Sequence, residues 1–93
     1  MTDRTDGFYV MAFSSTSHSI QTEKKAKESF RVAVIPTPVE IKSDCGLALK
    51  FLDGDTDAIK SFHRSLTVGA GLYYLSNEKI NGKRRVENCN DLS

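Results

Sequence analysis

Pro36 and Pro38 stand on either side of Thr37, directly after the β-branched run Arg31–Ile35, and they narrow the fold more than any other feature. Proline fixes φ and has no N–H to donate, so the run ends there and the chain continues as a stiff extended loop. Beyond that loop, Leu47, Leu49 and Phe51 alternate with Ala48 and Lys50, the period-two pattern of a strand with one buried face. Two strands therefore follow one another with no helix between them.

The remaining segments fit around this pair. Phe8–Phe13 is a short β-type run, and the polar cluster that follows supplies N-cap oxygens before mostly good helix formers. This predicts a helix over residues 17–30 with a thin apolar face of Ile20, Ala26 and Phe30. Gly54 and Asp55 open a second helix, with Ala58, Ile59, Phe62 and Leu66 on one face. A glycine-broken turn at Gly69 and Gly71 leads into a last strand around Leu72–Leu75. The order predicts an α+β, ferredoxin-like βαββαβ domain: a four-stranded antiparallel sheet, ordered 4-1-3-2, with both helices on one face. Residues 1–7 are expected to be disordered, 8–76 to form the single domain and 77–93 to be a polar tail. Asn81-Gly82, a favoured type I′ pair, offers a short terminal hairpin as the alternative, against which its charged flanks speak.

Composition excludes several classes of function. A chain of 93 residues supports one modest core, and a net charge of +1 gives no polyanion-binding balance. The RNA-stacking pattern of sheet-borne aromatics is missing from strand three, so no nucleic acid is expected as partner. The longest apolar run is too short to cross a bilayer, and residues 1–7 carry two Asp and one Arg where a signal peptide would be basic. No membrane partner and a cytoplasmic location are expected. Cys45 and Cys89 could form a single bridge, but Cys89 falls in the polar tail, which suits a reduced compartment.

The predicted topology gathers separate segments on one edge: Ser14, Ser15, Thr16, Ser17 and His18 at the start of helix one, Thr37 in the proline loop, Cys45-Gly46, and Gly69 with Gly71. A helix N-terminus there favours an anion, a thiolate included. Cys45 has two readings, a small buried hydrophobe or a reactive thiol placed after polar Lys42-Ser43-Asp44 and before a glycine that allows close approach. His18 is either a solvent-facing first-turn residue or a proton acceptor for that thiol. The hydroxyl cluster either caps the helix or rims an anion site. His63 reads as a surface residue. Cys45 and His18 together fall short of the three or four ligands a metal needs, so no metal and no cofactor are expected.

From Tyr9 to about Leu75 the chain resembles a family of small bacterial and archaeal selenium/sulfur carrier-like proteins. The resemblance is carried by Ile35-Pro36-Thr37-Pro38, by Ser43-Asp44-Cys45-Gly46-Leu47-Ala48-Leu49-Lys50-Phe51, and by Phe13–Lys24 with His18 and Glu23 in place. It implies a thiol carrier centred on Cys45 with Gly46 beside it, working between a sulfur or selenium donor protein and an acceptor protein, and not a stand-alone enzyme. Ser19 and Lys25 depart from the family's small or aliphatic positions, and the helix-to-strand link lacks its glycine. The competing reading is a small-ligand-binding or protein-interaction module, a homodimer paired through sheet edges among its forms, in which Cys45 is structural.

Overall fold

The computed structural model describes residues 7–41, 46–53, 56–66 and 70–89. Its elements are β1 (Gly7–Phe13), α1 (Thr16–Ala26), β2 (Val32–Pro36), β3 (Leu47–Phe51), α2 (Thr56–Ser65), β4 (Ala70–Ile80) and β5 (Lys83–Asn88). The fold is α+β, with two helices and a five-stranded sheet in the order β2-β3-β1-β4-β5, every neighbouring pair antiparallel. The sheet has five strands where four are expected. The segment read as a polar tail is the reason: β4 continues to Ile80 and turns through Asn81 (φ 56°) and Gly82 (φ 81°) into β5. Both residues adopt the positive φ that a two-residue type I′ turn demands, so this local turn chemistry overrides the charge of its flanks.

β1 is the central strand, and Tyr9 to Phe13 are all buried. Alternation sorts them into two cores. Tyr9, Met11 and Phe13 join Leu49, Phe51, Leu72 and Tyr74 beneath the helices, with Ala26 of α1 and Ile59 of α2 packed on them. Both helices thus cover the same face. Phe30 sits edge-on between Phe51 and Phe62, at 5.4 and 5.6 Å between ring centroids, and ties the end of α1 to β3 and α2.

The helices pack differently from the hydrophobic pattern. α1 buries Ser19, Thr22 and Ala26, while Ile20 is 45% exposed. Small side chains at these positions let the helix backbone approach the sheet, and the Ser19 hydroxyl donates to the Thr16 carbonyl at 2.7 Å, so its burial leaves no unpaired polar atom. The helix begins at Thr16, one residue before the expected start, and ends at Ala26. Ser29 and Phe30 N–H both donate to the Ala26 carbonyl, closing the turn without a glycine. In α2, Ile59 with Phe62 and Leu66 carries the packing, and Ala58 faces solvent. Pro36 lies inside β2, paired with Leu47, which an edge strand tolerates when the ring nitrogen faces outward.

The second face of the sheet is closed by two segments. Val10, Ala12, Ala48 and Leu75 form a smaller core with Ile41, which reaches it from the β2–β3 connection, and Phe8, Ile35, Tyr73 and Val86 flank it. Arg84 of β5 and Lys50 of β3 both stand over the Phe8 ring, at 5.3 and 4.5 Å. Since β5 and β1 are separated by β4, the outer half of the hairpin must bend across this face. The register shift between Leu75 and Lys79 supplies the bend. Arg84 fixes it: its guanidinium donates to the carbonyls of Ser76 and Asn77, and its backbone N–H donates to the Glu40 carboxylate at 3.0 Å. The β2–β3 connection and the hairpin are thereby clasped together.

That N–H holds the Glu40 carboxyl below its ordinary pKa, with Glu40's own backbone N–H and the charges of Arg84 and Lys79 acting the same way. A depressed folded-state pKa contributes stability above the unfolded value and loses it as pH falls through the folded one. Glu40→Gln is expected to be less stable than the parent at neutral pH by no more than about 1 kcal/mol, because the pair is partly solvated. The gap closes on acidification, as urea unfolding at a series of pH values would show. A gap that stays constant with pH would contradict the clasp. A methyl group on Gly7 would meet the Leu75 carbonyl and, at 2.9 Å, the Tyr74 ring. Gly7→Ala is therefore expected to cost about 1–3 kcal/mol in the same assay.

Candidate functional site

The end of β1, the end of β2 and the starts of β3 and β4 lie on one rim of the sheet. Pro36 is paired with Leu47, the Thr37 N–H donates to the Gly46 carbonyl at 2.9 Å, and Phe13 is paired with Ala70. Ala12 opposite Ala48 sets the β1–β3 register, whose continuation brings Ser14 level with Gly46. Ser14, Thr37 and Gly46 therefore come together, at the amino end of α1. Cys45 and Gly69 lie outside the described residues.

Ser15 is the N-cap of α1: its extended backbone starts the helix and its hydroxyl accepts from the His18 N–H at 3.3 Å. Ser14, Thr16 and Ser17 are exposed around it. The first turn contains no acidic side chain, so nothing on the helix neutralises the positive end of its dipole. His18 is half-buried, and its Nδ1 is shielded from solvent without a hydrogen-bond partner among the described residues. A shielded ring nitrogen with no partner is costly, and it can accept or hold a proton for a group brought against it.

Gly46 is exposed, and a side-chain carbon placed on it would meet nothing within 4 Å. The flank of the residue that follows Cys45 in the chain is thus open to an approaching group. Gly71 is different. It lies inside β4, opposite Ala12, and a methyl group on it would strike the Tyr73 ring at 2.8 Å. The expectation that Gly71 serves as a turn is corrected: the glycine lies within a strand and makes room for an aromatic ring two residues along the same strand face.

Two further residues belong to this rim. His63, expected at the surface, is half-buried, and its Nε2 lies 2.7 Å from the Ala70 carbonyl, fastening the last turn of α2 to the start of β4. The element order alone carries that signal, since a helix that leaves the far end of β3 and feeds β4 must finish at this rim. Cys89 is not in a loose tail. Its N–H donates to the Leu72 carbonyl at 2.8 Å and its half-buried side chain packs against the core under the helices. Among the described residues no group of three His, Cys, Asp or Glu side chains gathers that could hold a metal ion.

At the opposite end of the sheet a cleft of about 280 Å³ is lined by Tyr9, Lys50, Asp53, Thr56, Tyr74 and Asn77 among others. The Tyr9 hydroxyl and Thr56 Oγ1, 3.0 Å apart, link β1 to the first turn of α2 there. None of the rim residues lines this cleft.

A family model, that of the Putative Se/S carrier protein-like proteins, matches residues 8–69, from β1 to the residue before β4. No curated protein and no solved structure matches the chain.

Proposed function

The chain belongs to the Putative Se/S carrier protein-like family, and on that premise we propose that it carries sulfur or selenium between proteins on the Cys45 thiol. The Cys45 thiolate attacks the outer sulfur of a persulfide on a donor protein. A sulfur–sulfur bond forms to Cys45, the donor's own sulfur–sulfur bond breaks, and the donor sulfur leaves as a thiolate. An acceptor nucleophile then attacks the outer sulfur on Cys45, which departs as thiolate. The two exchanges involve no net oxidation, and selenium follows the same path as the selenium-containing analogue.

The observation that carries this reading is the rim itself: an open flank at Gly46, the acid-free amino end of α1, and the partnerless Nδ1 of His18. The positive end of the helix dipole favours a thiolate, the His18 nitrogen can take a proton from a thiol, and the open flank of Gly46 admits a partner's chain, which are the properties a single-cysteine carrier needs. In this reading His18 takes the proton of the incoming thiol, Ser14, Ser15, Thr16, Ser17 and Thr37 border the loaded sulfur with hydroxyl and backbone donors, and Gly46 and Gly69 leave room for the donor's chain. The first six elements act as a ferredoxin-like frame that brings the rim together, and β5 is an addition to that frame. The protein works in the cytoplasm, where thiols stay reduced. The 280 Å³ cleft favours a second reading, a small-ligand-binding module with a structural Cys45.

Incubation with a cysteine desulfurase and cysteine, followed by intact-mass measurement, is expected to add the mass of one sulfur to the parent and none to Cys45→Ser. A Cys45 that never gains the mass, in a protein whose melting point rises with a small ligand, would select the binding module. His18→Gln is expected to slow alkylation of Cys45 about tenfold at neutral pH. Alkylation rate against pH reads this out, and an unchanged profile removes His18 from the site.

A further inference from the structure

The two edges of the sheet differ in a way that points to a partner. β5, one edge, carries Lys83, Arg84, Arg85 and Glu87, and its pairing with β4 is broken by a register shift. Charge and irregularity of this kind keep an edge from pairing with another strand. β2, the other edge, is Val-Ala-Val-Ile-Pro without a charge, and its pairing with β3 is regular from end to end.

The hydrogen bonds of β2 show which groups it offers. Leu52 N–H donates to the Arg31 carbonyl and Thr37 N–H to the Gly46 carbonyl, and Ala33 and Ile35 share that register opposite Lys50 and Ala48. In an antiparallel ladder the bonded residues alternate, so 31, 33, 35 and 37 face β3 while Val32, Val34 and Pro36 turn their backbone groups outward. Pro36 has no N–H to offer. Val34 is 37% exposed although it lies on the face that the helices cover, and α1, which packs on β2, leaves Ile20 exposed.

We propose that β2 pairs antiparallel with β2 of a second copy of this chain, about a two-fold axis that passes beside Ala33 perpendicular to the sheet. Val32 of each copy then lies opposite Val34 of the other. Each such pair exchanges two N–H to C=O bonds, so every outward donor and acceptor of Val32 and Val34 is satisfied. Pro36 falls just beyond the paired stretch, where its missing donor costs nothing and prevents the ladder from lengthening. The axis puts the helices of both copies on one side of a continuous sheet, with Val34 and Ile20 flanking the seam. The charged β5 edges end the sheet on either side, so association stops at a closed dimer.

Sedimentation velocity across a dilution series is expected to give the parent protein at twice the 10.3 kDa chain mass. Val34→Pro removes an outward N–H without touching the β3 ladder, and Val34→Lys puts a charge on the seam; each is expected to halve that mass with an unchanged circular dichroism spectrum. Should Val34→Pro fail to fold, Val34→Lys decides alone. In amide exchange the Val32 and Val34 N–H groups, which have no partner in β3, are expected to be protected in the parent and to lose that protection on dilution. A monomeric parent at every concentration, fast exchange at both valines, or a dimer that survives a correctly folded variant would overturn the proposal.

Discussion

Burial of β1 on both of its faces is the constraint on which the rest of the structure depends. Val10 and Met11, neighbours that point to opposite sides of the sheet, are both wholly inaccessible to solvent. A strand in that position needs apolar cover above and below. The helices provide it on one side through Ala26, Ile59 and Phe62, together with Phe30 just beyond the end of α1. On the other side no helix lies among the described residues, and the cover is assembled from Ile41 in a connection and from the bent hairpin of β4 and β5.

This division explains where strong polar interactions occur. A helix layer rests on its own internal hydrogen bonds, whereas an irregular segment laid over a sheet has backbone groups that need partners. Arg84 meets that need three times over, bonding the carbonyls of Ser76 and Asn77 and, through its backbone, the Glu40 carboxylate. Its guanidinium and the Lys50 amine also shield the Phe8 ring at the margin of the second core. The rim proposed as the functional site lies at the end of the sheet where four strand ends meet; there the Ser15 and Ser19 hydroxyls bond within the first turn of α1, and His63 fastens the last turn of α2 to the start of β4.

Much of this was legible in the residues. Strand alternation, the proline stop after Ile35 and the capping hydroxyls locate both helices and the first four strands, and topology then brings Ser14, Thr37 and Gly46 to one rim. What polarity could not disclose was size and context. Ser19 is buried and Ile20 exposed because, where a helix lies close against a sheet, a small hydroxyl with an internal acceptor fits better than a branched side chain. β5 escaped because its residues carry charge, although the Asn81-Gly82 pair marked the turn, and Cys89 and Gly71 were misread with it. The unbroken apolar run of β1 held the missing clue, since a strand with one solvated face alternates and this one does not.

The clasp between Glu40 and Arg84 joins positions 44 residues apart, and β5, which follows β1 to β4 in the chain, supplies half of it. During synthesis β1, β2 and β3 emerge before the β4–β5 hairpin, so the side of their sheet away from the helices lacks that part of its cover until the hairpin has followed. A nascent chain of this protein therefore carries an adhesive apolar surface until the hairpin has emerged, and the interval before the hairpin closes is when a chaperone has most to shield.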